Sequence, residues 1–472
     1  MTPSNKTPRH GSGNHDSDPK GSTIMLRRRL KWIGLVSLIP AAILIVFVGV
    51  IGYRETIASG EVKAKIAEMR RDGEPFDNDS MAKYFEKNAH KEGTAAWSEI
   101  LALSQAADAI SDNLPMVGSG TLLSDLRPGS DWPDEPRVAE FLHEVRPLID
   151  RIAKADEFPR PVWMPIRFNG INTLLQESQE SRSVARILYL DAIHALYHKD
   201  DKRAYQAIHS LRTVAEAFDW DFCMVTNLVS LHIRSMHREA IDRSLEMDVW
   251  NEKQLDDLSD QVKQPYDVAK TWKATIAGER GLAYPILDNP RLLQDVHNAP
   301  TNPLLWLPVT PSTRLAVLQA YEDFQHCADA GDAGIAAQAK VAVAKYFERR
   351  SLGLSSFFLG MMLPDITSYA EAFDRDETRR RLTYAAIAIK RFQKKNQRWP
   401  TSLSELSGIG LVATNWTTAD GQTFGYEVGE GTAYVWSYGS YGSSDKKIVP
   451  KERPLPEPDA VNEALPNLVS IR

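Results

Sequence analysis

The sequence predicts a mainly α fold with a single N-terminal transmembrane helix, an α-helical ectodomain and a small C-terminal α+β module. Three observations carry this. No charged side chain occurs from Ile33 to Tyr53. From Glu61 to about Asn396 apolar residues recur at helical spacing and strand signals are few. After that the pattern changes to alternation, in TFGYEVGEGTAYVWSYG.

Residues 1–30 form a polar tail, rich in Ser, Gly, Pro, Asn, His and Asp, that buries too little apolar surface to order itself. Residues 31–54 are the transmembrane anchor, since about 20 apolar residues cross a bilayer core as a helix. Pro40 is tolerable there. Arg27, Arg28, Arg29 and Lys31 precede the span and favour retention of the N-terminus inside, with Trp32 and Tyr53 at the two interfaces. Ala58-Ser59-Gly60 offers a small-x-small cleavage site, but the apolar run exceeds the core of about 7–15 residues in a signal peptide, so an uncleaved signal anchor is expected. A second apolar run, LGLSSFFLGMMLP at 352–364, is too short to span and reads as a buried helix.

The 472 residues leave room for two or three domains, and a formal charge of −6 gives no basic footprint for nucleic acid. Cys223 and Cys327 are too few for a disulfide framework or a four-cysteine zinc site. One bridge between them is open, and two buried thiols are expected.

Residues 55–378 form the helical ectodomain. In DKRAYQAIHSLRTVAEAFD, Ala204, Ile208, Leu211, Ala215 and Phe218 make one apolar stripe. The preceding SRSVARILYLDAIHALYH is apolar on more than one face and should be buried. The KDDK link makes the two an antiparallel hairpin, with Ala185, Ala192 and Ala195 permitting close approach. The hairpin resembles one tetratricopeptide-type unit, without a second copy at a period of about 34 residues. The next helix shows Val229, Ile233, Met236 and Ala240 on one side, and Asn251 with Gln254 forms a capping box for another. The proline-rich stretch 284–311 reads as an irregular connection in which Trp306 packs or lines a groove.

Candidate chemistry is sparse. No H-E-x-x-H, G-x-S-x-G, P-loop or G-x-G-x-x-G motif occurs. His194 and His198 have zinc-binding spacing on a helix, yet no third ligand stands out, so packing or hydrogen bonding in the hairpin is expected. Glu279 and Arg280 read as a pair on a solvated face or bridging two helices, with a buried ion pair or site as the sharper alternative. Asp374, Arg375, Asp376, Glu377, Arg379, Arg380 and Arg381 read as solvated surface. The 62 acidic residues single out no general acid and base. No catalytic, cofactor-binding or metal residue is assigned, no cofactor is expected, and an enzyme is unsupported.

Residues 379–449 form the C-terminal module. Leu382, Ala385, Ala386, Ile389 and Phe392 are the stripe of a helix whose last turns hold Lys390, Arg391, Lys394 and Lys395, cations suited to its carbonyl end. Pro400 stops it and disfavours helical geometry at Trp399. Ser402 and Glu405 form a capping box for a short helix that Gly408 can end in the left-handed conformation. Phe424, Tyr426 and Val428 alternate on one strand, and Tyr434, Trp436 and Tyr438 on the next, joined by a three-residue GEG link. A lone hairpin is marginal in water, so its aromatic face should pack on the long helix. Residues 450–472 form a proline-rich extended tail.

IAIKRFQKKNQRWPTSLSEL, ADGQTFGYEV and YVWSYGSYGSSD resemble the globular region of the type II secretion major pseudopilin, over roughly 379–446. The resemblance implies a helix ending in an aromatic-Pro step, a short second helix, an Asp-Gly turn, a Tyr-rich hairpin and a calcium loop. For that loop Asp445 and Asp420 are a thin donor set for an ion taking about 6–8 oxygens. The anchor lies far upstream and no prepilin cleavage motif is present, so a borrowed fold is expected, not a polymerising pilin. MRRDGEPFDNDSMAKYF, followed by Asn88 and Ala89, is similar to the start of uncharacterised bacterial envelope proteins with the same architecture. The implied location is the bacterial inner (cytoplasmic) membrane, N-terminus cytoplasmic and main domain periplasmic. The leading expectation is a membrane-anchored scaffold or interaction protein with an envelope protein partner and no nucleic acid. The alternatives are an accessory component of a type II secretion-like system and an envelope hydrolase with an unrecognised site.

Overall fold

Helix α1 (Pro19–Asp72) runs unbroken through the charge-free segment and past Pro40. The computed structural model describes residues 19–121, 126–290, 292, 309–349, 365–409, 413–419, 421–429, 431–437 and 468–472. The tail before Pro19, the apolar run 352–364, Trp306, Asp420, Tyr438 and Asp445 lie outside them. The chain divides into two units, Met1–Glu61 and Val62–Arg472. In the first, Ile43, Leu44, Phe47 and Val48 are exposed, and among the described residues α1 is the one helix long and apolar enough to cross a membrane. In the second, Val62 and Met69, with Ile66 partly buried, share one helical face and join a hydrophobic cluster.

The second unit is mainly helical: α2 (Asn78–Asn88), α3 (Thr94–Asp108), α4 (Glu135–Glu144), α5 (Arg146–Lys154), α6 (Gln176–Tyr197), α7 (Asp201–Ala217), α8 (Met224–Leu245), α9 (Glu252–Lys263), α10 (Val268–Asp288), α11 (Pro311–Gln325), α12 (Ile335–Arg349) and α13 (Ile366–Asn396). The α6–α7 hairpin forms as its sequence predicts. Lys199 turns left-handed at φ +57°, and the Asp200 N–H donates to the Ala195 carbonyl at 2.9 Å, which closes α6. Asp200 then caps α7 by accepting from the Arg203 N–H at 3.1 Å. Ala185, Ala192, Ala195, Ala204 and Ala207 are all buried, so small side chains let the helices approach. The Asn251–Gln254 capping box is also present, with both reciprocal bonds made. The connection expected from residue 284 begins only after Asp288: α10 continues through Pro285 because Tyr284, Ile286 and Leu287 are buried in the second cluster. Burying such side chains contributes about 1.5–3 kcal/mol each, comparable to the cost of a proline inside a helix.

Helix α13 begins at Ile366, not at 379, capped by the Asp365 side chain. Its first turns (Ile366, Tyr369, Ala370, Phe373) belong to one hydrophobic cluster and its later turns (Leu382, Ala385, Ala386, Ile389, Phe392) to another. The charge run lies between; Arg375 is exposed as expected, but its neighbours are not solvated surface. Asp376 pairs with Arg238 of α8, Arg379 with Asp242 of α8 at 2.6 Å, and Arg380 donates to the Val262 and Lys263 carbonyls at 2.8 and 2.9 Å, satisfying the end of α9. The basic residues near the end of α13 find acids as well: Lys390 and Lys394 meet Asp248 at 2.7 and 3.0 Å, and Arg391 meets Asp256.

The C-terminal region departs from expectation in three ways. Glu405 accepts from the Thr401 N–H at 2.8 Å, so Thr401 and not Ser402 holds the reciprocal position, and the short element is a 3-10 helix, Leu403–Ile409, with Gly408 inside it. The sheet has three strands in the order β1 (Gly425–Gly429), β2 (Thr432–Trp436), β3 (Leu468–Ile471), all antiparallel. The tail therefore ends in a paired strand, fixed by the Arg472 N–H donating to the Leu245 carbonyl at 3.1 Å. Finally, Gly429 pairs with Thr432, which leaves two residues in the turn, with Gly431 at φ +81°. Tyr426 then faces the same side as Val435, and Glu427 the same side as Tyr434. The buried side of β2 is Ala433 and Val435, while Tyr434 and Trp436 take the other side and stay half-buried. A three-residue turn would have put both aromatic sets on one face; one residue fewer reverses the parity.

Candidate functional site

Helix α10 carries the residue around which the site is built. At Gly278 a Cβ would lie 1.8 Å from the Phe222 carbonyl oxygen, so only glycine admits the backbone of residue 222 this close. The chain then enters α8 at Met224, with Cys223 at its N-cap making no side-chain cap bond. The next residue of α10, Glu279, supplies the missing acceptor: the Met224 N–H donates to Glu279 Oε1 at 2.7 Å. Burial pushes the Glu279 carboxyl up to about 7, with the Met224 N–H pulling the other way.

A cleft of about 570 Å3 opens above this carboxyl. The loop 169–175 forms one wall, held against α10 by Gly170, which is left-handed at φ +53° and 3.1 Å by a built Cβ from the Leu282 carbonyl. The start of α8 forms the other. The rim is apolar and open: Leu174 is 80% exposed, Val225 48% and Ile171 40%. Gln176 and Gln179 are the neighbouring amides. Cys223 also lines the cleft, but burial pushes its thiol up to about 12, so it stays protonated at neutral pH and is a poor nucleophile. The arrangement therefore offers one carboxyl, titrating near neutrality, as proton donor, acceptor or counter-charge inside an apolar rim.

Glu279 and Arg280 do not pair. Consecutive residues of a helix point about 100° apart, and Arg280 turns instead to Glu74 and to Gln325 Oε1 at 3.0 Å, lining a separate cavity of about 270 Å3. Both cysteines are free and buried.

His194, in the last turn of α6, and His198, its C-cap, do acquire a third group. Glu135, the first residue of α4, places Oε1 3.2 Å from His194 Nε2 and 2.9 Å from His198 Nε2. The three ligand-type atoms lie within 4.8 Å of one another. His194 is buried and His198 about half-exposed. Arg203 Nη1 donates to His194 Nδ1 at 3.1 Å. A guanidinium cannot accept, so this bond puts the His194 proton on Nε2, where it is donated to Glu135. Glu135 was invisible to sequence reasoning because it lies 59 residues before His194 in an acid-rich chain.

A third cleft, of about 900 Å3, lies over the α8–α13 interface and β3. Its floor holds the Arg238–Asp376 and Arg379–Asp242 pairs, and burial pushes the Asp242 carboxyl up to about 6 against the pull of Arg379. Here every invoked charge has an opposite neighbour, unlike Glu279.

Comparison with known proteins adds no relative: no family model, curated protein or solved structure matches this chain.

Proposed function

We propose that this chain is a membrane-anchored interaction protein, N-terminus cytoplasmic, whose extracytoplasmic helical body takes up an apolar segment of an envelope protein at the Glu279 cleft. The carrying observation is the half-buried carboxyl of Glu279 beneath an exposed apolar rim of Leu174, Val225 and Ile171. A segment presenting apolar side chains around one Lys or Arg matches it, because the cation favours ionised Glu279 while the rim is covered. In-cell photocrosslinking tests this, with the reactive side chain at Leu174 or Val225 and, as control, at Val341, which is 61% exposed elsewhere. Shared adducts from the two cleft positions, weakened by Glu279→Gln and missing from Val341, support the reading. Equal adducts from all three positions, or adducts indifferent to Glu279, overturn it.

A second reading, an accessory part of a type II secretion-like assembly, draws on the order of elements in 366–436: long helix, short 3-10 helix, hairpin. Deletion of the gene should then reduce export of secreted enzymes, and unchanged export removes it.

A further inference from the structure

The geometry points to a transition-metal site formed by Glu135, His194 and His198, taking a zinc-class divalent ion. Four observations support it. Two imidazole nitrogens and one carboxylate oxygen are a donor set suited to zinc, cobalt and nickel. At metal–ligand distances near 2.0–2.1 Å, tetrahedral donors stand roughly 3.3 Å apart. Oε1 of Glu135 is already 3.2 and 2.9 Å from the two Nε2 atoms. An ion replacing the shared protons needs Oε1 to draw back from each nitrogen by only a few tenths of an ångström, and the two Nε2 atoms, which lie within 4.8 Å of each other, to settle about it.

The ligands also stand on fixed supports. His194 stands on the last, buried turn of α6, and His198 is the C-cap of that helix, its N–H still donating to the His194 carbonyl at 3.2 Å. The segment carrying Glu135 is tied to the same helix, because the Tyr197 hydroxyl donates to the Ser130 carbonyl at 2.8 Å and Trp132 packs on His194 and Tyr197. The half-exposed His198 leaves the fourth coordination position open to solvent. Bound there, the ion would join α4 to α6.

Arg203 sets how tightly. Metal on His194 Nε2 requires the ring proton on Nδ1, the atom to which Arg203 now donates. Arg203 must give up that bond, and it has an alternative, since its Nε already donates to Asp191 at 2.8 Å. It therefore weakens loading without forbidding it. Gln at this position can accept from Nδ1–H and reverses the effect.

The test uses metal-stripped full-length protein in detergent, titrated with Co2+ and then with Zn2+ as competitor. The expected result is one Co2+ per chain with the intense visible bands of a four-coordinate site, displaced by Zn2+. His198→Ala should weaken binding at least tenfold with unchanged circular dichroism, the side chain being half-exposed, and Arg203→Gln should tighten it about tenfold. His10 and His15 in the tail are common to every variant and cancel in the comparison. Co2+ binding that is equally tight in His198→Ala, or no stoichiometric binding by the original chain, overturns the site. Binding lost in His198→Ala but unchanged in Arg203→Gln overturns the role given to Arg203.

Discussion

Two regions of the body handle buried charge in opposite ways. At the α8–α13 interface Arg238 faces Asp376 and Arg379 faces Asp242, all four side chains largely enclosed. In the cleft over α10, Glu279 is met, among the described residues, by a backbone N–H and no cation. Paired charges offset one another's desolvation and join two helices; a half-buried carboxyl facing a backbone N–H is left to titrate. The comparison separates groups that hold the fold from one available to a ligand. It also makes a general point: what a substitution costs depends on how enclosed the charge left behind is.

The largest effect should come from breaking a pair. Arg238→Ala strands Asp376 and should cost about 3–5 kcal/mol in urea unfolding of the detergent-solubilised chain. Arg238→Met with Asp376→Leu should recover most of that loss. A double variant as unstable as the single one would show that charge compensation is not what the pair provides.

Next comes the lone carboxyl. Its folded value, about 7, lies above the ordinary 4.5. Between these the unfolded chain loses its proton while the folded chain keeps it, so stability falls as pH rises from about 4.5 to about 7 and levels off above. Relative to Glu279→Gln, the original chain should lose on the order of 2 kcal/mol across that window. A pH-independent difference between the two would contradict the raised carboxyl.

Lys390→Met sharpens the rule. Lys390 is enclosed, but its partner Asp248 is 56% exposed, so no buried charge remains behind. The expected change is within about 1 kcal/mol. Smallest of all, Lys273→Ala removes an exposed pair with Asp329 and should cost less than about 0.5 kcal/mol, vanishing in high salt. A large loss in either variant would break the comparison.

How much was legible follows the range of the interactions. The α6–α7 hairpin and the Asn251–Gln254 box could be read directly, since stripe, link and cap lie within a few residues of one another. Glu279 was singled out, but as one of a pair with Arg280. Its pairing with Met224, 55 residues earlier in the chain, depends on the close approach at Gly278. The charge run 374–381 read as surface because composition does not reveal that α13 crosses between two hydrophobic clusters at that point. The metal candidate was half-visible: spacing gave the two histidines and nothing local gave Glu135.

The sequence by itself determined the apolar N-terminal helix, the helical character of the body, the hairpin and the two neighbouring strands, because hydrophobic periodicity, caps and turn residues act over a few positions. Only the tertiary structure decided that a tail strand completes the sheet, that a two-residue turn sends Tyr434 and Trp436 away from the buried face, and that Glu279 sits half-buried against a backbone N–H while Asp376 is paired. Those outcomes depend on which distant backbones come together, and burial and charge compensation are properties of that meeting and not of any short stretch of chain.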